Sequence, residues 1–406
     1  MGPGGYNGGS VSWRVGGLAY DPFDSTGNTL YAATPKGGIW RTEDNGQSWQ
    51  PLSDKEFSLS FSCIEVSPFD PDVLFAGTGD YHGGNGPGFG ILKSIDRGQT
   101  WKNYGKVEFG TASIRRIMPH PIQPNIVFAT AGRNGLLRSI DEGETWTQTL
   151  TAVQLATIAT AATAGPDPTG VSNITFNSGF STLYISIDNV GIYFSEDDGQ
   201  TWTVMPGAPT GVGRFDVATS KLGSRRKQRT LYVMHGGAGG ADGTISKGEP
   251  PIDNVDGTIA FTALGDSPRG NVGGRAVWDQ KSYNFYIGTT SATVIDPGLP
   301  TATPPLGPYP VAQDVIYIGL IEVWVSVDSG ALWQFVPTHH VDQHSITVSP
   351  FNRNELLMGS DGGVRKLNLI AQAINPFHTA QPMPAPPPVP NPWGPRRRYS
   401  VFLSLI

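Results

Sequence analysis

The segment HHVDQH, residues 339–344, carries three side chains of the kinds that bind metals or transfer protons. In an extended strand alternate side chains point the same way, so His340, Asp342 and His344 would share one face. Two imidazoles and a carboxylate on one face could hold a divalent metal. Short segments of this kind are not specific, however, and nearby arginines disfavour a cation. We therefore expect no metal and no cofactor, and interpret the three residues as polar lining, with direct contact to a ligand as the alternative.

A second group of carboxylates lies in a nine-residue motif that occurs five times in the chain. Each copy has an Asp five residues before a Trp and a Gly two residues after that Asp, as in RSIDEGETW at residues 138–146. We call these copies the Asp phrases. Their paired residues are Asp44 with Trp49, Asp96 with Trp101, Asp141 with Trp146, Asp197 with Trp202, and Asp328 with Trp333.

The fivefold repetition of the Asp phrases indicates their role. Two or more carboxylates and a hydroxyl within nine residues would suit acid–base chemistry, but five copies cannot all be a unique active site. An Asp can instead accept hydrogen bonds from the backbone of its own turn. The Gly permits a positive φ, and the Trp buries a large ring against a sheet. We therefore predict that the phrases are structural and that none is catalytic.

The pattern around each phrase predicts the fold. An Asp-Pro-like turn and an apolar strand precede it, as in EVSPFDPDVLFAGT, so each unit of about 50 residues contains four antiparallel strands. Such a unit is typical of a propeller blade. The 53 glycines, 34 prolines and only 15% charged residues suit short strands joined by tight turns. We predict an all-β chain with a single seven-bladed β-propeller of four-stranded antiparallel blades at residues 1–371. Its units begin near residues 11, 58, 113, 171, 212, 272 and 341.

Charge and composition exclude several classes of function. The net charge of −6 argues against nucleic acid as a partner. No apolar stretch reaches the roughly 18 residues that a membrane-spanning helix needs. The first residues lack the basic and apolar regions of a signal peptide. With Cys63 as the single cysteine, neither an intrachain disulfide nor a cysteine-based zinc site is possible.

Arginines recur where the predicted inner strands begin, around the mouth of the central channel. They are Arg14, Arg115, Arg116, Arg214 and Arg275. Several guanidiniums around one opening would suit a carboxylate, sulfate or phosphate ligand. The alternative is that they pair with acidic neighbours such as Asp216 and Asp342 and fill the channel. Asp80 and His82, in the long loop of the second unit, are a weaker candidate for the same rim.

The Asp phrases resemble the Asp-box, or BNR repeat. Propellers with this repeat include sialidases, xyloglucan-active glycoside hydrolases, sortilin-type Vps10 domains and photosystem assembly factors. The resemblance covers roughly residues 11–367. The segments GTGDYHGGNGPGFGILKSIDRGQTW and HHVDQHSITVSPFNRNELLMGSDGGV look most like bacterial sortilin-like BNR-repeat proteins. This resemblance implies a location outside the cell or at its surface.

The catalytic residues of these families are only partly matched. Sialidases need an arginine triad, a Tyr–Glu pair and an Asp; their Arg-Ile-Pro motif is missing, and SIRRIMPHP is only faintly similar. Xyloglucan-active hydrolases use two carboxylates, and one of them resembles the Asp of a TDVGGAYR-like stretch in the first blade. The matching stretch is TPKGGIWR, in which Pro35 replaces the carboxylate. That family is also built from two propellers. Asp361, in GSDGGV, occupies an analogous turn of the last unit but is a lone carboxylate.

We therefore expect a non-catalytic binding or scaffold module, with an anionic glycan or a protein as its ligand at the channel mouth. The alternative is a glycoside hydrolase, sialidase-like or xyloglucanase-like. An assembly factor for a larger complex is a third possibility, which would show as a wide exposed patch. The oligomeric state is open.

The C-terminal part departs from the repeat. Residues 372–398 are Pro-rich and are predicted to form a linker or loop. Residues 399–406, YSVFLSLI, alternate and are apolar. We predict that Val401 to Ile406 return as the fourth strand of the last blade, or else bind a partner.

Overall fold

The computed structural model describes a ring of antiparallel β-sheets. The described residues are 14–81, 86–151, 154–155, 170–224, 228–237, 244–251, 257–264, 271–272, 275–276, 286–296, 309–319, 323–326, 329–330, 333–336, 343–352 and 355–368. The predicted Pro-rich segment and the predicted C-terminal strand lie outside them.

The first three blades follow one another along the chain, each with its inner strand first. Blade 1 contains β1 (Gly17–Tyr20), β2 (Leu30–Thr34), β3 (Gly38–Thr42) and β4 (Gln50–Pro51). Blade 2 contains β5 (Phe61–Val66), β6 (Leu74–Thr78), β7 (Ile91–Ser94) and β8 (Lys102–Tyr104), followed by a short helix, α1 (Lys106–Phe109). Blade 3 contains β9 (Arg116–Pro119), β10 (Val127–Thr130), β11 (Leu136–Ser139) and β12 (Thr147–Leu150).

Three further blades and two smaller sheets complete the description. Blade 4 contains β13 (Val171–Phe176), β14 (Leu183–Ile187), β15 (Gly191–Ser195) and β16 (Thr203–Val204). Blade 5 contains β17 (Gly213–Thr219), β18 (Leu231–Gly237), β19 (Thr244–Glu249) and β20 (Ala260–Ala263), and a two-stranded ribbon follows with β21 (Asn271–Val272) and β22 (Arg275–Ala276). Blade 6 contains β23 (Tyr286–Asp296), β24 (Tyr309–Gly319), β25 (Val323–Ser326) and β26 (Gln334–Val336). The closing sheet contains β27 (Gln343–Val348), β28 (Glu355–Ser360) and β29 (Gly363–Asn368).

The predicted all-β propeller of four-stranded antiparallel blades is confirmed, but the predicted number of seven blades is wrong. Among the described residues, the structure has six four-stranded blades, and the closing sheet has three strands. The predicted start of the sixth unit near residue 272 is also wrong. That region forms the short β21–β22 ribbon, and blade 6 begins at Tyr286.

The hydrophobic core lies in the seams between neighbouring sheets. One cluster joins Phe75 and Ile91 of blade 2 to Ile117 and Val127 of blade 3, all at most 1% exposed. Each sheet therefore buries its two faces against its two neighbours, which is why the inner and second strands read as nearly continuous apolar runs.

The ring closes through the closing sheet. Val15 N donates to Ser360 O at 3.2 Å, which links the start of blade 1 to the end of β28. Glu355 of β28 accepts a hydrogen bond from Tyr20 OH at 2.9 Å and pairs with Lys366 at 3.0 Å. Polar contacts at this seam therefore join the last sheet to the first.

Four Asp phrases form the turns between the third and fourth strands of blades 1 to 4. In the third of them, Asp141 Oδ1 accepts hydrogen bonds from Ser139 Oγ and Thr145 N at 2.8 Å each, and Oδ2 accepts one from Thr145 Oγ at 2.6 Å. Gly143 N donates to Ser139 Oγ at 2.7 Å. The same set recurs at Asp44, Asp96 and Asp197. Asp328 lies outside the described residues.

These hydrogen bonds determine the chemistry of the aspartates. A hydrogen bond from the Ser48 side chain holds the pKa of Asp44 at about 2, and the Thr201 side chain does the same for Asp197. A carboxylate with so low a pKa stays ionised at neutral pH and is a poor proton donor or acceptor. These hydrogen bonds therefore stabilise the turn itself.

The glycines of the Asp phrases also lie against the preceding blade. Gly143 has φ 86°, and a Cβ placed on it would lie 2.9 Å from the ring of Phe75 in blade 2. Gly199, in blade 4, has the same relation to Phe128 in blade 3, at 2.7 Å. Glycine is therefore needed here both for its backbone conformation and for the close approach of the next sheet.

In blades 3 and 4 the residue after the phrase Asp reaches the same neighbouring blade. Glu142 pairs with Lys93 of blade 2 at 3.0 Å. Asp198 accepts a hydrogen bond from Gln123 of blade 3 at 3.0 Å and lies 3.4 Å from His120. The phrases thus brace a turn and join adjacent blades at the same time.

Candidate functional site

Several of the predicted site residues, among them Arg14, Arg115 and His344, lie on the face of the ring where the inner strands begin, which we call the upper face. Because the strands of each blade alternate in direction, this face also carries the turns between second and third strands. The Asp phrases, between third and fourth strands, lie on the opposite, lower face. The upper face is therefore the one on which unique side chains can meet.

Arg14 lies just before β1 and forms an ion pair across a blade boundary. Its Nη2 lies 2.5 Å from Oδ2 of Asp80, in the turn between β6 and β7. The Asp80 side chain is fully buried and that of Arg14 is 23% exposed. Asp80 and His82 were the weaker predicted candidate for this rim. His82 lies outside the described residues. The pair joins blade 1 to blade 2.

Arg115 lies just before β9 and is similarly engaged. Its guanidinium lies 4.9 Å from the ring centroid of Tyr81 and donates to Tyr81 OH at 3.3 Å. Burial raises the pKa of Asp188, in the turn between β14 and β15, while the charges of Arg115 and Arg214 oppose this shift. The arginines at the starts of blades 1, 3 and 5 thus lie among acidic and aromatic neighbours. The ion pair of Arg14 with Asp80 is of the kind that the pairing alternative describes, although the sequence named Asp216 and Asp342 as the acidic neighbours.

Among the described residues, a cavity of about 40 Å³ lies between the inner strands. Arg115, Arg116, Asn173, Asp216, His344 and Cys63 are among the residues that line it. Asp216 bridges three blades by accepting hydrogen bonds from Asn173 Nδ2 and from the backbone N–H groups of Val217 and Ile287. Burial raises its pKa to about 6, against the charge of Arg115. The cavity has room for a few water molecules and is far smaller than typical ligand sites of 300 Å³ or more.

The remaining predicted site residues are Arg275, His340, Asp342 and His344. Arg275 does not begin the inner strand of a blade, because β22 belongs to the short ribbon that precedes blade 6. The sequence misled here because unit six is irregular and its ribbon imitates the start of a blade. His340 and Asp342 lie outside the described residues. His344 lies in β27, buried at the upper face.

His344 and Asp361 form the one contact of this face that combines an imidazole with a half-exposed carboxylate among the described residues. Nε2 of His344 lies 2.6 Å from Oδ1 of Asp361, in the turn between β28 and β29. The side chains of His344 and Asp361 are 5% and 44% exposed. A buried ring therefore holds an accessible carboxylate in a fixed orientation. The described residues contain no cluster of three His, Cys, Asp or Glu suited to a metal ion.

Two aromatic side chains of the upper face were not predicted from the sequence. Phe57, between β4 and β5, is 59% exposed, and its ring meets Phe89 edge-on at 5.5 Å between centroids. Phe89 precedes β7 and is half-buried. Nothing in the repeat pattern distinguishes these two residues, because both occupy connections of variable sequence. Together they present an aromatic surface beside Asp80 and Tyr81.

A half-buried carboxyl of the inner strands supports a pH prediction. Burial raises the pKa of Glu65, in β5, from 4.5 to about 7, although the charge of Arg116 opposes it. Because the folded-state pKa exceeds that of the unfolded chain, folding favours the protonated form. This contribution is complete below pH 4.5 and is lost as the pH rises through 7.

We therefore expect Glu65→Gln to remove this pH dependence. The variant should unfold about 2–4 °C above the wild type at pH 8 and close to it at pH 5. Thermal unfolding by circular dichroism at the two pH values measures the difference. Glu108→Gln, at an exposed position, is the control and should match the wild type at both. A Glu65→Gln effect of equal size at pH 5 and pH 8 would contradict the assignment.

No family model matches the chain. A xyloglucanase from a Paenibacillus species is 29% identical over 264 residues, which are 58% of this chain and 24% of that protein. A xyloglucanase from Hypocrea jecorina is 27% identical over 267 residues, 57% of this chain and 30% of that protein. The chain thus spans about a quarter of the length of the curated relatives it matches.

Solved structures show the same fold. The GH74 xyloglucanase from Xanthomonas campestris superimposes with a TM-score of 0.60 at 18% identity, covering 89% of this chain and 53% of that one. YCF48 from Cyanidioschyzon merolae gives 0.54 at 14% identity and covers 88% and 96%. At such identities the likeness establishes the β-propeller alone. The expected closeness to sialidases and sortilin-like proteins is not shown, and the described residues contain no helix able to cross a membrane.

Proposed function

We propose that this chain is a carbohydrate-active propeller, a glycoside hydrolase whose substrate is a polysaccharide of the xyloglucan class. The observation that carries the proposal is sequence similarity of 27–29% to several xyloglucanases, over 195 to 267 residues. A polysaccharide does not cross a bilayer, so we expect the chain to act outside the cell. This proposal replaces a non-catalytic module as the leading interpretation.

We assign the substrate to the upper face. The channel cavity of about 40 Å³ cannot admit a sugar ring, so a glycan would have to lie across the mouth. Asp361 lies in the closing sheet, and Phe57 lies between blades 1 and 2. A glycan that contacts both residues would therefore cross blade 1. An exposed aromatic ring offers an apolar surface on which the C–H face of a sugar can rest. Phe57, supported by Phe89, supplies that surface.

Asp361 is our candidate for the carboxylate that reacts. Its side chain is 44% exposed, and His344 orients it through Oδ1. In an inverting hydrolysis, a carboxylate base takes a proton from water as that water attacks the anomeric carbon. A second carboxyl group, about 6.5–9.5 Å away, protonates the leaving oxygen. Asp361 has the accessibility that the base requires.

The direct test is incubation of the full chain with xyloglucan and analysis of the products by mass spectrometry. We expect shorter oligosaccharides whose new reducing ends carry the inverted anomeric configuration by NMR. Unsubstituted cellulose oligosaccharides serve as the comparison substrate. An unchanged polymer after prolonged incubation would reject hydrolysis.

Glycan binding without cleavage is a second candidate that specific observations favour. Pro35 stands where the resembling stretch of xyloglucan-active enzymes has a carboxylate. The Asp80 side chain is fully buried against Arg14, and Asp188 is 6% exposed. Under this candidate calorimetry would detect xyloglucan binding although no products form.

A substitution of Phe57 tests the placement of the glycan under either candidate. We expect Phe57→Ala to weaken binding of xyloglucan oligosaccharides about tenfold, because it removes the central apolar contact. Phe69→Ala is the matched control, since Phe69 is 40% exposed on the lower face between β5 and β6. Isothermal titration calorimetry measures both. Equal affinity of the two variants would place the glycan elsewhere.

A further inference from the structure

The outer edge of β29 differs from that of every other third strand in the described ring. In the six blades, an Ile, Leu or Val near the start of the third strand faces one apolar residue of the fourth strand. In blade 1 the contact is a hydrogen bond from Leu52 N to Ile39 O at 2.8 Å. Blades 4 and 5 repeat it from Met205 to Ile192 and from Leu264 to Ile245, at 2.8 Å each. The remaining pairs are Ile91 with Tyr104, Leu136 with Leu150, and Val323 with Val336.

Val364 holds the equivalent position in β29, directly after Gly363. Within the described part of the chain, β29 is paired with β28 alone, so one row of its backbone groups has no strand opposite. Nη1 of Arg365 is buried and has no hydrogen-bond partner among the described residues. Unpaired edges and buried unsatisfied donors are unusual in folded proteins.

Blade 1, which lies across the seam from β29, is also less closely packed at its Asp phrase. The glycines of the later Asp phrases lie tightly against the preceding blade. A Cβ placed on Gly46, by contrast, would meet only Trp49 of its own phrase, at 3.9 Å. Trp49 and Val364 both pack against the hydrophobic cluster of this seam. Among the described residues, no neighbouring sheet therefore packs against Gly46 as it does against the later phrase glycines.

Two segments outside the described residues are candidates to fill this edge. Residues 1–13 contain five glycines, a composition that disfavours a strand. Residues 399–406 read YSVFLSLI, with Val401, Leu403 and Leu405 alternating along one side. The 32 residues between Asn368 and Val401 can span far more than the width of one sheet. The apolar composition of residues 399–406 and the length of chain before them both favour this segment over residues 1–13.

We propose that Val401 to Ile406 pair with β29 as the fourth strand of the closing sheet. The segment supplies the apolar residue opposite Val364, the backbone partners for the open edge and an acceptor for Arg365. It thereby covers the outer edge of the closing sheet. The proposal concerns closure of the ring and is independent of the proposed function.

Hydrogen exchange on the full chain tests this assignment with a matched pair of variants. Leu403→Asp places a charge on the apolar side of the segment, whereas Ser404→Asp places the same charge on the alternate side. We expect Leu403→Asp to speed exchange of the β29 amides by at least about tenfold and Ser404→Asp to leave them nearly unchanged. The amides of blades 2 to 4 report whether either variant loses its overall fold.

A chain that lacks residues 399–406 provides the second measurement. It should expose the β29 amides as Leu403→Asp does while the other blades stay protected. Equal exchange rates at β29 in the wild type, both variants and the shortened chain would overturn the proposal. Protection that depends on protein concentration would also overturn it, because a second copy would then cover the edge.

Discussion

Replacing Gly143 by alanine should destabilise the chain by about 2–5 kcal/mol, whereas the same change at Gly46 should cost only about 1–2 kcal/mol. The two glycines occupy the same place in their Asp phrases and have nearly equal φ angles, 86° and 87°. Both variants therefore suffer the same penalty for a side chain at positive φ. They differ in what the new Cβ meets: Phe75 of the preceding blade at 2.9 Å, or Trp49 at 3.9 Å.

Chemical denaturation of the two variants beside the wild type measures this difference. Because Phe75 is buried in the seam between blades 2 and 3, its ring cannot move without disturbing the cluster around it. A Phe75→Leu background should therefore relieve part of the Gly143→Ala penalty and none of the Gly46→Ala penalty. Equal losses at the two glycines would show that the phrase acts within its own turn alone.

This prediction bears on why the Asp phrases recur. Their aspartates are satisfied within the turn, and in blades 3 and 4 the glycine and the residue after the Asp contact the preceding blade. A unit that needs both a stable turn and a close neighbour reproduces the same few residues at each seam. Repetition in the sequence thus follows from repetition of the blade interface.

Asp361→Asn should lower the rate of xyloglucan hydrolysis by a factor of about 10²–10⁴. The amide keeps the shape of the side chain and its contact with His344 but cannot take a proton from water. Since the change affects the reaction more than the contacts with the glycan, affinity measured by calorimetry should stay within about threefold. Initial rates of reducing-end release, measured at saturating substrate, give the comparison.

Asp197→Asn is the control for the loss of one carboxylate. Asp197 lies in the Asp phrase of blade 4 on the lower face, and its bonds serve the turn. The control should hydrolyse xyloglucan at the wild-type rate at a temperature where circular dichroism shows both variants to be folded. A similar rate loss in the two variants, or none in Asp361→Asn, would remove Asp361 from the reaction.

Much of the fold followed from the sequence because the blades repeat. The Asp phrases marked the turns between third and fourth strands, and the apolar runs before them marked the inner strands. The number of blades was wrong because a count of units assumes that every unit has the same strands, whereas the closing sheet has three strands among the described residues. Arg275 was misplaced for the related reason that a short extended segment resembles the start of a blade.

The site was less accessible to sequence reasoning. Arg14 and Arg115 were identified at the upper face, but their partners Asp80 and Tyr81 come from another blade, a contact that only the closed ring creates. Asp188 could have been found by aligning the turns between second and third strands, where it matches Asp361 in IDNVG and SDGGV. Phe57 and Phe89 lie in loops outside the repeat, so no periodic signal marks them.

Hydrogen exchange of the full chain with and without a xyloglucan oligosaccharide tests the central claim, that the glycan lies across the upper face. The account predicts slower exchange in the segments around Pro35, Phe57 and Asp361, and no change at the Asp-phrase turns around Asp96 and Asp141 on the lower face. Protection confined to the lower face, or none at saturating oligosaccharide, would contradict it.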